Sequence, residues 1–259
     1  MAGAAIVLVH GNPETPIIWE PLVAELTRRH PDRVIATPHL PGFGCPRPDG
    51  FGATKEEYAA WLIDEVEAVV AEHGPVDLVG HDWGGGLAMR LVATRPDLVR
   101  TWACDVLGLF HPEYVWHDFA QIWQTPGAGE QYFEQSLATP LDDRLAGYEA
   151  IGIPRPIGER LLAVSDATMG DCVLALYRSA AQPAMVAWGG ELAPAATRPG
   201  LALIAPHDPF VRGDDLGTAV AHQLGARIAH LAGQGHWWML GDPVGGAAVL
   251  EEFWASVPR

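Results

Sequence analysis

The chain has 259 residues, 49% hydrophobic and 19% charged: enough apolar material for one large core, and too few charges for disorder to dominate. Its 16 Lys and Arg stand against 32 Asp and Glu, a formal charge of −16. A surface that acidic repels phosphate backbones and anionic lipid, so nucleic acid and membrane are poor partners; anionic substrates are disfavoured only weakly, since local charge in a pocket overrides the sum.

Short apolar runs bounded by Gly, Pro, Asp or His predict buried strands at residues 6–9, 34–36, 76–79, 101–104, 201–205 and 228–231. Between them lie segments with helical period. Residues 55–73 put Tyr58, Leu62, Val66 and Val69 on one stripe, and Thr54 with Glu57 forms a capping-box signature ahead of it. Residues 85–95 make a second helix, stopped by Pro96, and residues 214–224 a third, stopped by Gly225. Residues 243–254 make the last, opening on a proline. Strands alternating with helices imply a mostly parallel sheet covered by helices on both faces.

The alternation lapses over residues 109–192, which divides the chain into a core (1–108), an insertion (109–192) and a second stretch of core (193–259). The insertion holds ten aromatics, among them Tyr114, Phe119, Tyr132 and Tyr177, and helix-like segments at 113–124, 158–167 and 171–181. It reads as a helical cap over one edge of the sheet. Its aromatics can form a small core of their own, or line a pocket against the sheet. Cys45, Cys104 and Cys172 form no Cys-x-x-Cys pair, so neither a zinc site nor a disulfide scaffold is expected. Free thiols, no leader-like N-terminus and no apolar run near the roughly 18–20 residues of a membrane helix lead us to expect a cytoplasmic protein.

The predicted strand 76–79 runs into Gly80-His81-Asp82-Trp83-Gly84-Gly85 and then a helix. This is the G-x-nucleophile-x-G turn, with Asp82 where serine usually stands. The turn is so tight that side chains at positions 80 and 84 would collide. It also sets Asp82 beside a helix N-terminus, whose partial positive charge favours an anion. The bland reading is an Asp cap in a Gly-rich turn. Two later signals match the catalytic one. Asp208 lies just past the predicted strand 201–205, and His236 lies in the Gly-rich loop after the last strand. The order nucleophile, acid, histidine is that of a hydrolase triad. His81 adjoins Asp82 and is expected to point away.

With His10-Gly11-Asn12-Pro13 after the first strand, these motifs resemble the epoxide hydrolase and haloalkane dehalogenase branch of the α/β-hydrolase fold. The cap insertion is similar in position, and the chain begins at what looks like the family's third strand. The resemblance implies oxyanion N–H groups from Asn12 and Trp83, with His10 pinning the loop. No metal or organic cofactor is implied.

An aspartate nucleophile suits displacement at saturated carbon. Serine would leave an ether there, whereas a carboxylate leaves an ester that His236, oriented by Asp208, hydrolyses through water. The expected substrate is a small neutral epoxide or alkyl halide. An epoxide oxygen needs an acid, and the family's epoxide hydrolases use cap tyrosines. Tyr177 in Leu176-Tyr177-Arg178 resembles one, but the matching position for the other, ahead of Gln124-Thr125-Pro126-Gly127, is Phe119; Tyr114 or Tyr132 are the possible substitutes. A halide needs N–H donors, which Asn12 and Trp83 resemble, and Trp116-His117 resembles a halide clamp. The main expectation is an epoxide hydrolase, with a haloalkane dehalogenase as the alternative and a non-catalytic binding protein as the third.

Overall fold

The computed structural model describes residues 3–211 and 213–258. Six strands, β1 (Ile6–Val9), β2 (Ile35–Ala36), β3 (Val76–Gly80), β4 (Val99–Cys104), β5 (Gly200–Ile204) and β6 (Arg227–His230), form one sheet in the order β2-β1-β3-β4-β5-β6. Every pairing is parallel. The helices between strands are α1 (Glu20–Arg29), α2 (Lys55–His73) and α3 (Trp83–Thr94). Between β4 and β5 the chain makes α4 (Asp118–Gln124), α5 (Ala128–Ala138), α6 (Leu141–Ala150), α7 (Arg155–Ala163), α8 (Ala167–Ser179) and α9 (Ala184–Gly190). Helix α10 (Asp215–Gln223) joins β5 to β6, and α11 (Trp238–Gly241) and α12 (Pro243–Ala255) close the chain.

Each strand feeds two cores, because successive side chains point to opposite faces. Val7 and Val9 of β1 pack with Leu62, Leu87 and Leu91 of α2 and α3. Ile6 and Leu8 pack on the other face with Leu22 and Leu26 of α1 and Leu250 and Phe253 of α12. Helix α8 joins the first core through Met169, Cys172, Val173 and Leu176, which seats the β4–β5 helices on the sheet. The predicted strands and core helices are present within a few residues. Thr54 and Glu57 close the capping box of α2, the Glu57 N–H donating to Thr54 Oγ1 at 3.3 Å and the Thr54 N–H to Glu57 Oε2 at 3.1 Å.

The differences have local causes. Helix α3 starts at Trp83, not at residue 85, because the Asp82 carbonyl already accepts from the N–H groups of Gly85 and Gly86. The helix predicted at 113–124 starts only at Asp118, where the His117 ring caps the Ala120 N–H at 3.2 Å. Helices α1, α5, α6 and α9 were not expected. In α6 only Leu145 is fully buried, so little of this helix enters the core.

Candidate active site

In a parallel sheet, ligands bind beyond the carboxyl ends of the strands, where the strand order reverses. Here that point lies between β1 and β3, and the residues that follow those strands are Asn12 and Asp82. Asp82 sits at φ 50°, a left-handed conformation unfavourable for a residue with a side chain. The glycines around it permit the turn. A Cβ at position 84 would lie 2.1 Å from the Val9 carbonyl oxygen, and one at position 80 would lie 2.5 Å from the Gly84 oxygen. Strand β1 and helix α3 therefore meet backbone to backbone, and Asp82 projects from the turn.

The Asn12 N–H donates to Asp82 Oδ1 at 2.8 Å. The other carboxylate oxygen, Oδ2, faces His236 Nε2 at 3.9 Å, too far for a hydrogen bond. His236 Nδ1 is held by Asp208 Oδ2 at 2.6 Å. Asp82, Asp208 and His236, singled out in three loops by the Gly-rich turn, strand-end placement and chain order, are thus brought together. Burial pushes the Asp82 carboxyl up to about 6, against the pull of His236, His81 and the Asn12 N–H. Burial would lower His236, but the adjacent Asp208 carboxylate outweighs it and holds the imidazole above its ordinary value. Asp208 is pushed up by burial and pulled down further by His236, ending below its ordinary value.

His81 does not point away from this group. It is fully buried, and its ring lies 4.5 Å from that of His236. Its Nδ1 pairs with Asp105 Oδ2 at 2.6 Å and its Nε2 with Glu14 Oε1 at 3.1 Å. Burial opposes its charge, yet the two carboxylates raise it well above the ordinary range, so it stands as an imidazolium. The tight turn that aims Asp82 at Asn12 and His236 aims its neighbour into a buried ion network. Glu14 also accepts from Gly11 N at 3.0 Å and from the Trp237 indole, tying the β1 loop to the histidine loop. Asp105 accepts from Asp82 N at 2.9 Å and from the Trp238 indole at 2.9 Å. Neither acid was singled out from the sequence. Asp105 carried the same signal as Asp208, an acid just past an apolar strand; Glu14 carried none beyond a charge in a loop. Glu14, His81 and His236 offer ligand atoms within 4.8 Å of one another. Both nitrogens of His81 are already engaged and it is protonated, so this donor set does not suit a metal ion.

A cavity of about 260 Å³ opens beside Asp82. Asn12, Asp82 and His236 line it at the sheet, and Phe119, Trp123, Tyr132, Tyr148 and Tyr177 line it on the β4–β5 helices. The Tyr177 oxygen accepts from Asn12 Nδ2 at 3.4 Å. An oxygen that accepts a hydrogen bond keeps its own proton free to donate. Burial and the nearby Asp82 push this hydroxyl well above 10, so it stays protonated. Trp83 itself does not line the cavity. It is buried, with Trp116 stacked on it at 5.9 Å and Tyr177 packed edge-on at 5.3 Å. Of the Trp116-His117 pair, His117 reaches the cavity and Trp116 does not. Phe119 lines it with a ring that is 43% exposed, and Tyr114 is buried against Trp116. His10 does hold its loop, accepting from Leu40 N at 3.2 Å.

Residues 6–249 match the family model described as "Alpha/beta hydrolase family". Among curated proteins, the chain is 31% identical over 153 residues to a haloalkane dehalogenase of Mesorhizobium japonicum, covering 50% of this chain and 43% of the relative. It is 32% identical over 184 residues to one of Bradyrhizobium diazoefficiens, covering 61% and 53%. A lipase, LipV, of Mycobacterium tuberculosis is 38% identical over 103 residues, covering 37% and 34%. The matches span about half or less of each relative's length. Among solved structures, the haloalkane dehalogenase DatA of Agrobacterium tumefaciens C58 superposes with a TM-score of 0.79 at 20% identity, covering 100% of this chain and 91% of that one. DbeA-M1, a haloalkane dehalogenase loop variant from Bradyrhizobium elkanii, gives a TM-score of 0.70 at 22% identity, covering 99% and 92%. At those identities the superpositions establish the fold. No described helix is long and apolar enough to cross a membrane.

Proposed function

We propose that this chain, which belongs to the alpha/beta hydrolase family, is a haloalkane dehalogenase rather than the epoxide hydrolase first expected. The observation that carries the reading is the donor pair beside the nucleophile: the Tyr177 O–H and the Asn12 amide, both neutral and both facing the cavity that Asp82 lines. A departing halide is already an anion and asks for hydrogen bonds, not a proton. A hydroxyl held well above 10 gives the first and withholds the second. The dehalogenases among the relatives support the same reading.

The chemistry follows from the distances. Asp82 Oδ2, free of donors, attacks the halogen-bearing carbon. The C–O bond forms as the carbon–halogen bond breaks, and the halide leaves with the electron pair toward Tyr177 and Asn12. The product is an ester on Asp82. His236 Nε2 then takes a proton from water, and the hydroxide adds to the Asp82 carboxyl carbon. Negative charge collects on Oδ1, where the Asn12 N–H already stands at 2.8 Å. Collapse frees the alcohol, which takes the His236 proton, and the acid left on Asp82 gives up its proton to solvent, restoring the carboxylate. Asp208 keeps the imidazole aligned and stabilises its charge through the 2.6 Å contact.

The Tyr177 hydroxyl also favours a second reading, epoxide opening, in which it would protonate the ring oxygen. Phe119, lacking a hydroxyl at the partner position, weakens that one. A panel of 1-haloalkanes and terminal epoxides, read out by halide and by diol, separates the two. Halide release is expected, slowed about 10- to 100-fold in Tyr177→Phe, the loss of one hydrogen bond to a charged group. Diol formation without halide release would overturn the dehalogenase reading, and alkyl halides consumed at an unchanged rate by Tyr177→Phe would remove the tyrosine from it.

A further inference from the structure

The cavity has two ends of opposite charge. At the sheet end stand four carboxylates, Glu14, Asp82, Asp105 and Asp208, against the histidines His81 and His236. Away from the sheet, α6 presents Arg144, Gly147 and Tyr148 to the same cavity, and Ile151 just beyond its end, a spacing of three, four and seven that places them on one helix face. Arg144 is partly buried and forms no ion pair among the described residues. Arg47 and Arg198 likewise form no ion pair among the described residues, and of the three it is Arg144 that lines the cavity. Its guanidinium donates from Nη2 to Ser165 Oγ at 3.3 Å, and this serine also lines the cavity. Tyr148 stands one turn on from Arg144 along α6, and Tyr132 lines the same cavity.

We infer that Arg144, with Ser165 and the hydroxyls of Tyr132 and Tyr148, is a subsite for an anionic head group, and that the natural substrate is a halogenated chain bearing a carboxylate at its far end. The inference rests on the dehalogenase reading of Asp82. It revises the neutral substrate expected from the overall charge, through the local override which that expectation allowed. The guanidinium offers a planar fork matched to a carboxylate, and the Ser165 hydroxyl beside it adds a further hydrogen-bonding group. Repulsion at the sheet end and attraction at the α6 end orient such a substrate one way only, with its halogenated carbon at Asp82. The space suffices: an apolar cavity of roughly 150 Å³ takes a benzene, and this one is about 260 Å³.

Hexanoate and hexanamide, equal in length and lacking a leaving group, test the subsite by calorimetric titration of the full chain. The wild type is expected to bind hexanoate more tightly, and Arg144→Gln to lower the hexanoate-to-hexanamide ratio by about 10- to 100-fold, the size of a charge-assisted hydrogen bond. Arg144→Lys should keep much of the preference. A wild type that does not prefer hexanoate overturns the inference, as does a preference that survives in Arg144→Gln. Equal weakening of both ligands would assign Arg144 to tethering α6 through Ser165 and overturn it too. Neither probe undergoes displacement, so the outcome is independent of whether Asp82 proves to cleave carbon–halogen bonds.

Discussion

Replacing Asp82 by asparagine should abolish turnover and stabilise the fold. The carboxylate is only 14% exposed, and burial holds its pKa near 6 in the folded chain, against an ordinary 3.8. The gap is worth about 3 kcal/mol, at roughly 1.4 kcal/mol per tenfold in proton affinity. The effect runs against the native state. Between pH 3.8 and 6 the unfolded chain releases this proton while the folded chain keeps it, so stability is lost as pH rises through that window. The amide of Asp82→Asn would keep the shape and the acceptor for the Asn12 N–H without the buried charge. Urea unfolding should therefore show the variant more stable by about 3 kcal/mol at pH 7.5, the gain shrinking to about half at pH 5. An unchanged or less stable variant at pH 7.5 would refute the reasoning, and so would a gain that does not depend on pH. The cost is tolerated because the same desolvation makes the carboxylate a stronger nucleophile, a trade of stability for function.

Two further outcomes follow from the same groups. Alkylation needs the ionised carboxylate, so its single-turnover rate should fall about tenfold between pH 7 and pH 5; rapid-quench measurement of the alkyl-enzyme checks this, and a flat profile would return Asp82 to ordinary acidity. His236→Gln should still alkylate Asp82 but hydrolyse the ester at least about 10²-fold more slowly. Mass spectrometry should then find the adduct on the peptide carrying Asp82, and failure to find it with any reactive halide or epoxide would remove the covalent mechanism.

Local chemistry is legible from sequence wherever one backbone requirement singles out a residue type. The tight turn at residues 80–85 demands glycines and so announces the nucleophile. Acid and histidine are announced by their place just beyond strand ends, and α2 by its capping box and apolar stripe. Those features depend on neighbours within a few positions, and they sufficed for a parallel sheet with Asp82, Asp208 and His236 at its carboxyl edge. Tertiary structure alone decided what lies opposite what. It turned His81 inward onto Asp105 and Glu14, and it buried Trp83 behind Tyr177 and Trp116, so that Asn12 and the Tyr177 hydroxyl face the cavity in its place. It also set Arg144 on a helix face that lines the cavity. Such placements arise from the packing of segments far apart in the chain, 165 positions in the case of Asn12 and Tyr177, and no periodicity along the chain carries that information.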